Sequence, residues 1–265
     1  MSNKYIPTIE DITAVSGIDT LPPGKLDITR RMAQLSDIKK GKKVLVTCSH
    51  RGYQAVIYAK ECGAEVCGLD IDERMIEFAR ENSEKEKISI NFVIGDAQEI
   101  PFGSEQFDIV TNEGAVGIPE NPQKVLSEMV RVLKRDGILI FRESIFADNL
   151  SVEEKEELRL RYGNNIEDIK GWKERVDRAG AEVIFTETEP WLEPSNFWNV
   201  RHDREVRDYH DLYTMTEKLR LSKILMKKYG KDGITMAAEN ERIFYDAVKN
   251  KKIGYGIFLC KKINL

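Results

Sequence analysis

The chain has 265 residues, 41% hydrophobic and 32% charged, with a formal net charge of −4. That is long enough to bury a sizeable core, and the mildly acidic balance, with both signs interspersed, argues against a broad nucleic-acid footprint, which is basic. No run approaches the roughly 18–20 apolar residues of a membrane span, and the opening residues Met1–Pro7 hold no apolar signal-peptide core.

Residues 1–24 read as irregular and end in the turn signal Leu21-Pro22-Pro23-Gly24. Apolar positions Leu26, Ile28, Met32, Leu35 and Ile38 predict an amphipathic helix. Val44 to Thr47 predict a first strand, followed by a helix from Tyr53 to Cys62 that Gly63 stops. Glu65–Asp70 is the second strand, and Asp72 N-caps the helix after it. Ser89–Ile94 and Phe107–Thr111 are strands three and four. Asn121-Pro122 has the form of a helix start, a capping Asn before a Pro in the first helical position. That helix precedes strand five, Gly137–Phe141.

Ser151-Val152-Glu153-Glu154 has capping-box form and starts a helix ending before Gly163. A further helix over 166–179 precedes strand six, Ala181–Thr186. Helical patterns at about 203–228 and 235–249, rich in aromatic residues, interrupt the alternation before a last strand at Gly254–Lys261. Strand–helix alternation predicts an α/β, doubly wound, mostly parallel seven-stranded sheet covered on both faces. One domain over 1–265 is expected, with an N-terminal helical cap at 1–40 and a helical lid insertion at 190–250.

The chemistry concentrates at Lys43–Ala55, a strand, a tight turn and a helix start. In α/β folds that junction lies at the carboxyl end of the first strand, where nucleotides bind against the free N–H groups of the helix. A turn of this kind usually carries glycines, and this one has Cys48 and His50. Cys48, Cys62, Cys67 and Cys260 contain no C-x-x-C pair, so reduced cysteines in a cytoplasmic protein are expected, without a disulfide framework or a metal site.

The order of elements, with several sequence patches, resembles the class I S-adenosylmethionine-dependent methyltransferases, most closely the small-molecule group of the methyltransferase-11 and ubiquinone-biosynthesis type. The resemblance covers roughly residues 25–189 and the last strand. Val44–Gly52 matches that family's V-L-D-x-G-C-G-x-G motif in length, with Val46 at the acidic position and Cys48 and His50 at two glycine positions, so the first glycine-rich motif is degenerate. Val66-x-Gly68-Leu69-Asp70 resembles the second-strand motif, in which the acid meets the ribose hydroxyls and the next residue, here Ile71, packs on adenine. Gly95-Asp96-Ala97-Gln98 with Ile100-Pro101-Phe102 resembles the G-D-A-x-x-L-P-F patch, and Phe107–Val110 with Asn112-Glu113-Gly114 resembles the fourth-strand motif. Arg131–Gly137 resembles the R-V-L-K-x-G-G segment before strand five.

The resemblance implies S-adenosylmethionine as cofactor, S-adenosylhomocysteine as product and methyl transfer (EC 2.1.1 class) to a small organic molecule, with no nucleic acid, membrane or metal involved. The implied cofactor residues are Cys48, Ser49, His50, Gly52, Asp70, Ile71, Asp96, Ala97 and Asn112, with Arg51 or nearby amides for the methionine carboxylate; Glu113 is the candidate catalytic residue, as a base or metal ligand, with a substrate-pocket or helix-capping role as the alternative. Asp108 reads as structural, and His202 and His210 as surface residues.

Two other readings stay open. One is a methyltransferase-like protein with a remodelled cofactor site that binds another ligand, does non-methyl chemistry or acts as a partner subunit. In it Cys48 and His50 form a nucleophile and base. The other is a nicotinamide-dependent oxidoreductase, since Asp70 lies about 20 residues past the turn; the missing G-x-G-x-x-G places it last.

Overall fold

The computed structural model describes residues 25–188, 192–194, 206 and 208–263. Leu21–Gly24, Trp191, Phe197, Trp198, His202 and the start of the 203–228 pattern lie outside them. The chain divides into two compact units: Lys25–Ser144, Glu167–Thr188 and Tyr255–Leu265 form the larger, and Ile145–Ile166 with the described part of 189–254 belongs to the smaller.

The elements are α1 (Lys25–Leu35), β1 (Lys43–Thr47), α2 (Tyr53–Cys62), β2 (Glu65–Asp70), α3 (Glu73–Lys85), β3 (Asn91–Ile94), β4 (Phe107–Glu113), α4 (Pro122–Val132), β5 (Leu133–Phe146), α5 (Val152–Tyr162), α6 (Ile169–Arg178), β6 (Ala181–Glu187), a 3-10 turn (Tyr209–Leu212), α7 (Met215–Lys249) and β7 (Ile253–Lys262). The strands form one seven-stranded sheet in the order β3-β2-β1-β4-β5-β7-β6. β1 pairs parallel with β2 and β4, β2 with β3, and β4 with β5, while β6 and β7 pair antiparallel. The chain moves outward from β1 to β2 and β3, then returns to β4 on the other side of β1. The crevice for a ligand in such a sheet lies there, at the carboxyl ends of β1 and β4.

Local chemistry sets most boundaries. Asp72 accepts from the Arg74 amide and Asn121 from that of Lys124. Ser151 and Glu154 make a reciprocal capping box, and Asp168 caps α6, which therefore starts later than the periodicity alone predicts. α7 breaks at Gly230 (φ 71°, ψ −173°), where a left-handed residue ends one helical run and begins another. β4 extends to Glu113 and β5 from Leu133 to Phe146, well past the expected Gly137–Phe141. Arg142, Glu143 and Ser144 are buried there, so the strand continues through residues that a hydrophobic pattern reads as its end.

The larger unit's core packs Phe141 between Phe258, stacked at 4.9 Å, and Trp172, edge-on at 5.8 Å. Trp172 is fully buried, and its indole N–H donates to the Ser144 carbonyl at 3.0 Å, so its polar atom is satisfied. Asp108, at the far end of β4 from the crevice, accepts from the Lys43 amide and from Lys134 Nζ. In the smaller unit Tyr162 of α5 stacks on Phe244 of α7 at 4.5 Å, and Arg161 donates to Asn240 Oδ1.

Candidate active site

The β1 turn keeps a ligand-turn backbone with unusual side chains. Cys48 (φ 52°), His50 (φ 47°) and Gly52 (φ 76°) are all left-handed, a conformation costing a non-glycine residue roughly 1–2 kcal/mol. The turn is held by Ser49 N–H on the Leu69 carbonyl and Gly52 N–H on the Ser49 carbonyl, both 2.8 Å. Glycine is required at Gly52 by space as well as by φ: a Cβ there would lie 2.8 Å from Phe92 and 2.9 Å from Ala79. At Gly68 a Cβ would meet Phe92 at 2.5 Å, so both glycines let the turn sit against β2 and Phe92.

Gly52 is the N-cap of α2, and no side chain caps that helix. The five later helices all carry a side-chain cap, from Asp72, Asn121, Ser151, Asp168 and Thr214. The orphan N–H groups of α2's first turn therefore point at the crevice with the positive end of the helix dipole. Arg51 lies with its guanidinium 4.6 Å from the centre of the Phe78 ring.

On the β2–β3 rim, Asp70 Oδ2 accepts the His50 amide at 2.8 Å and Oδ1 the Asp72 amide at 3.0 Å. A carboxylate has about four lone-pair directions, so Asp70 keeps acceptor capacity for a diol. Ile71 beside it is 69% exposed, an apolar side chain with no protein cover. Asp96 accepts from the Gln98 amide and side chain, Gln98 accepts the Asn121 amide, and Ala97 is buried between them.

On the β4–β5 rim, Asn112 is fully buried; its Nδ2 donates to Thr47 Oγ1 at 2.9 Å and its Oδ1 accepts the Ala115 amide. Glu113 accepts from Thr29 Oγ1 of α1 at 3.2 Å and from Tyr58 OH of α2 at 3.3 Å. Burial raises the Glu113 carboxyl above the usual range, against Arg142 and the hydrogen bonds of Thr29, Tyr58 and Gln54. Arg142 lies 4.3 Å from the centre of the Tyr255 ring. One residue on, Glu143 is buried and its carboxylate takes the amides of Val116, Gly117 and Ser144.

The structure thus brings Cys48, Ser49, His50, Gly52, Asp70, Asn112 and Glu113 to the β1/β4 ends, with Ile71, Asp96 and Ala97 on the neighbouring strand ends. Loss of solvation pushes the Cys48 thiol up to about 12, with Asp70 adding to the effect, which disfavours the thiolate that a nucleophile needs. Sequence reasoning missed Thr29, Gln54, Tyr58, Arg142 and Glu143; the two charged residues were hidden in a strand that seemed to end at Phe141. His210 is exposed in the 3-10 turn. No group of three His, Cys, Asp or Glu among the described residues is arranged to hold a metal. No helix among them is long and apolar enough to cross a membrane.

The donor set matches an adenosyl amino acid: a carboxylate with spare acceptors for a diol, an exposed apolar side chain for a base, and uncapped amides for a carboxylate. Residues 45–141 match the methyltransferase-domain family. The chain is 37% identical over 110 residues to a demethylmenaquinone methyltransferase of Listeria monocytogenes, a match covering 40% of this chain and 46% of that protein. The first curated relatives are spanned over only 46–70% of their length. In fold, it is similar to the crystal structure of a "putative sarcosine dimethylglycine methyltransferase" from Galdieria sulphuraria (TM-score 0.71, 16% identity, 91% of this chain and 86% of that one). It is also similar to a phosphoethanolamine N-methyltransferase from Haemonchus contortus in complex with S-adenosyl-L-methionine (TM-score 0.65, 19% identity, 99% of this chain and 59% of that one).

Proposed function

This chain belongs to the class I S-adenosylmethionine-dependent methyltransferase superfamily, and from that premise we propose that it transfers a methyl group to a small organic molecule in the cytoplasm. The observation that carries the reading is the pairing of the Asp70 carboxylate with the start of α2, which has no side-chain cap. When bound, the cofactor supplies a methyl group already activated on a sulfonium, so the protein's work is alignment and, where the acceptor needs it, proton removal.

In this reading Asp70 binds the ribose diol and Ile71 covers one face of the base. Asp96 and Ala97 bound its edge. The amides of the turn Cys48–Gly52 and of α2's first turn hold the methionine carboxylate, and Asn112 fixes the far wall through Thr47. Glu113 is the candidate base. Its burial favours the neutral form, and the hydroxyls of Thr29 and Tyr58 hold it in place. The names of similar proteins, a demethylmenaquinone methyltransferase and a phosphoethanolamine N-methyltransferase, support a small organic acceptor.

A calorimetric titration with S-adenosylmethionine and S-adenosylhomocysteine tests the reading; no saturable binding of either at millimolar ligand would sink it. The second reading, a remodelled site serving another ligand, non-methyl chemistry or a partner subunit, is favoured by one observation. Two left-handed positions of the turn carry a thiol and an imidazole instead of hydrogen. Methyl transfer to a defined small molecule rejects it.

A further inference from the structure

Glu143 has no part in the roles assigned above, yet it is 1% exposed and its carboxylate is committed to backbone. Oε1 accepts the Val116 amide at 2.6 Å and the Gly117 amide at 3.2 Å, and Oε2 accepts the Ser144 amide at 3.1 Å. Burying a carboxylate is expensive, and a main-chain carbonyl would satisfy an amide at lower cost. The segment it grips follows β4 directly, at the carboxyl end of a strand that pairs with β1, where ligands bind in such a sheet. Two ties come from strand residues: Gly114 N–H donates to the Arg142 carbonyl, and Ala115 N–H to Asn112 Oδ1. The next two amides go to Glu143.

We propose that Glu143 is a positioning residue: its carboxylate holds Gly114–Ile118 in the shape that makes this loop one wall of the ligand crevice. The proposal rests on that crevice being the methyltransferase site argued above. Arg142 from the same strand and Cys48 from the β1 turn are the charged or titratable groups coupled to it. Burial pushes the Glu143 carboxyl up to about 7, against the three amides and Arg142. Protonation turns one oxygen into a hydroxyl and removes the charge that strengthens the amide bonds. While the carboxyl stays buried, its amide bonds are therefore stronger above neutral pH than below it, although keeping the ionised group buried costs the fold stability there.

The test follows the amide resonances of the full chain by NMR from pH 5.5 to 8.5 and measures S-adenosylhomocysteine affinity in parallel. In the wild type the Val116 and Gly117 amides titrate together with a midpoint near 7. In Glu143→Gln they no longer titrate, exchange with solvent about tenfold faster, and S-adenosylhomocysteine binds about tenfold more weakly, the loss of roughly one charge-assisted hydrogen bond. Glu143→Asp keeps the charge on a shorter arm, restores a titration without full protection, and carries the test if the Gln variant does not fold. Unchanged exchange in both variants overturns the proposal, as does loosened exchange with unchanged S-adenosylhomocysteine affinity. If the wild type itself binds no S-adenosylhomocysteine, the methyltransferase reading fails, and the amide data still decide whether Glu143 sets the loop.

Discussion

The two rims of the crevice are built by different means. On the β2–β3 side the acids are strand-end residues whose partners lie mostly close by. Asp70 accepts from Asp72 two positions on and Asp96 from Gln98, and only the His50 amide comes from further along the chain. On the β4–β5 side Glu143 is buried and Glu113 half-buried, and their partners come from distant segments: Thr29, Tyr58, Val116 and Gly117. The half-buried acids of the first rim, tied mainly to neighbouring amides, suit a fixed acceptor for hydroxyls. Burial raises the Glu113 and Glu143 carboxyls of the second, which suits proton handling or shape control.

The widest separation between the rims is expected in turnover. Glu113→Gln keeps the shape and the Thr29 and Tyr58 contacts but removes the base. Methyl transfer falls by about 10²-fold, with cofactor affinity changed far less. Single-turnover rates set beside calorimetric affinities check this. An equal loss in both quantities would make Glu113 a binding residue and merge the two rims in function.

Stability against pH gives the next effect. The Glu143 carboxyl stands at about 7 in the folded chain against an ordinary 4.5. A raised carboxyl favours folding in its protonated form. Its contribution is present in full below pH 4.5, declines as pH rises toward 7, and is gone above. The span corresponds to about 3 kcal/mol. Glu143→Gln lacks this term, so the variant gains on the wild type by up to that amount between pH 4.5 and 7. Urea melts at several pH values read the difference, and the opposing contributions of groups such as Glu128 and Asp108 cancel in it. A flat difference would show that Glu143 ionises as an exposed carboxylate does.

Asp70→Ala comes third. It removes an acceptor for the ligand and the tie to the His50 amide together. Cofactor affinity is expected to fall by about 10- to 100-fold, the loss of one or two bonds to a charged group. Asp96→Ala, with its carboxylate engaged by Gln98, should cost less. The reverse order, measured by titration, would shift the ligand toward β3.

The same contrast explains what the sequence made legible. Asp72, Asn121 and Ser151 announce helix starts because a cap is a contact between neighbours in the chain. Gly68 and Gly52 stand at fixed spacing because Phe92 leaves no room for a Cβ. The β4–β5 rim was only partly readable. Glu113 could be suspected, but its Thr29 partner is 84 residues away and Tyr58 is 55. Glu143 lay in a polar triplet that resembles the end of a strand, and only the three-dimensional supply of amides makes its burial tolerable. The β6–β7 pairing was likewise invisible to local pattern, since antiparallel direction depends on where the long segment before β7 returns.

The smallest expected effect bears on the first turn. His50 holds a left-handed φ of 47°, and glycine would relieve roughly 1 kcal/mol of strain. Glycine also loosens the unfolded chain by about 0.4–1 kcal/mol, so the two nearly cancel and thermal stability should scarcely move. Ligand affinity has no such compensation. Removing the Cβ and imidazole lets a ligand approach the turn's backbone, and S-adenosylmethionine should bind about fivefold more tightly, roughly one contact's worth of free energy. The sign discriminates. Tighter binding makes His50 an obstacle tolerated in a cofactor turn, whereas weaker binding makes the imidazole a ligand contact in a remodelled one. If no adenosyl ligand responds at all, the crevice between β1 and β4 is not where it binds.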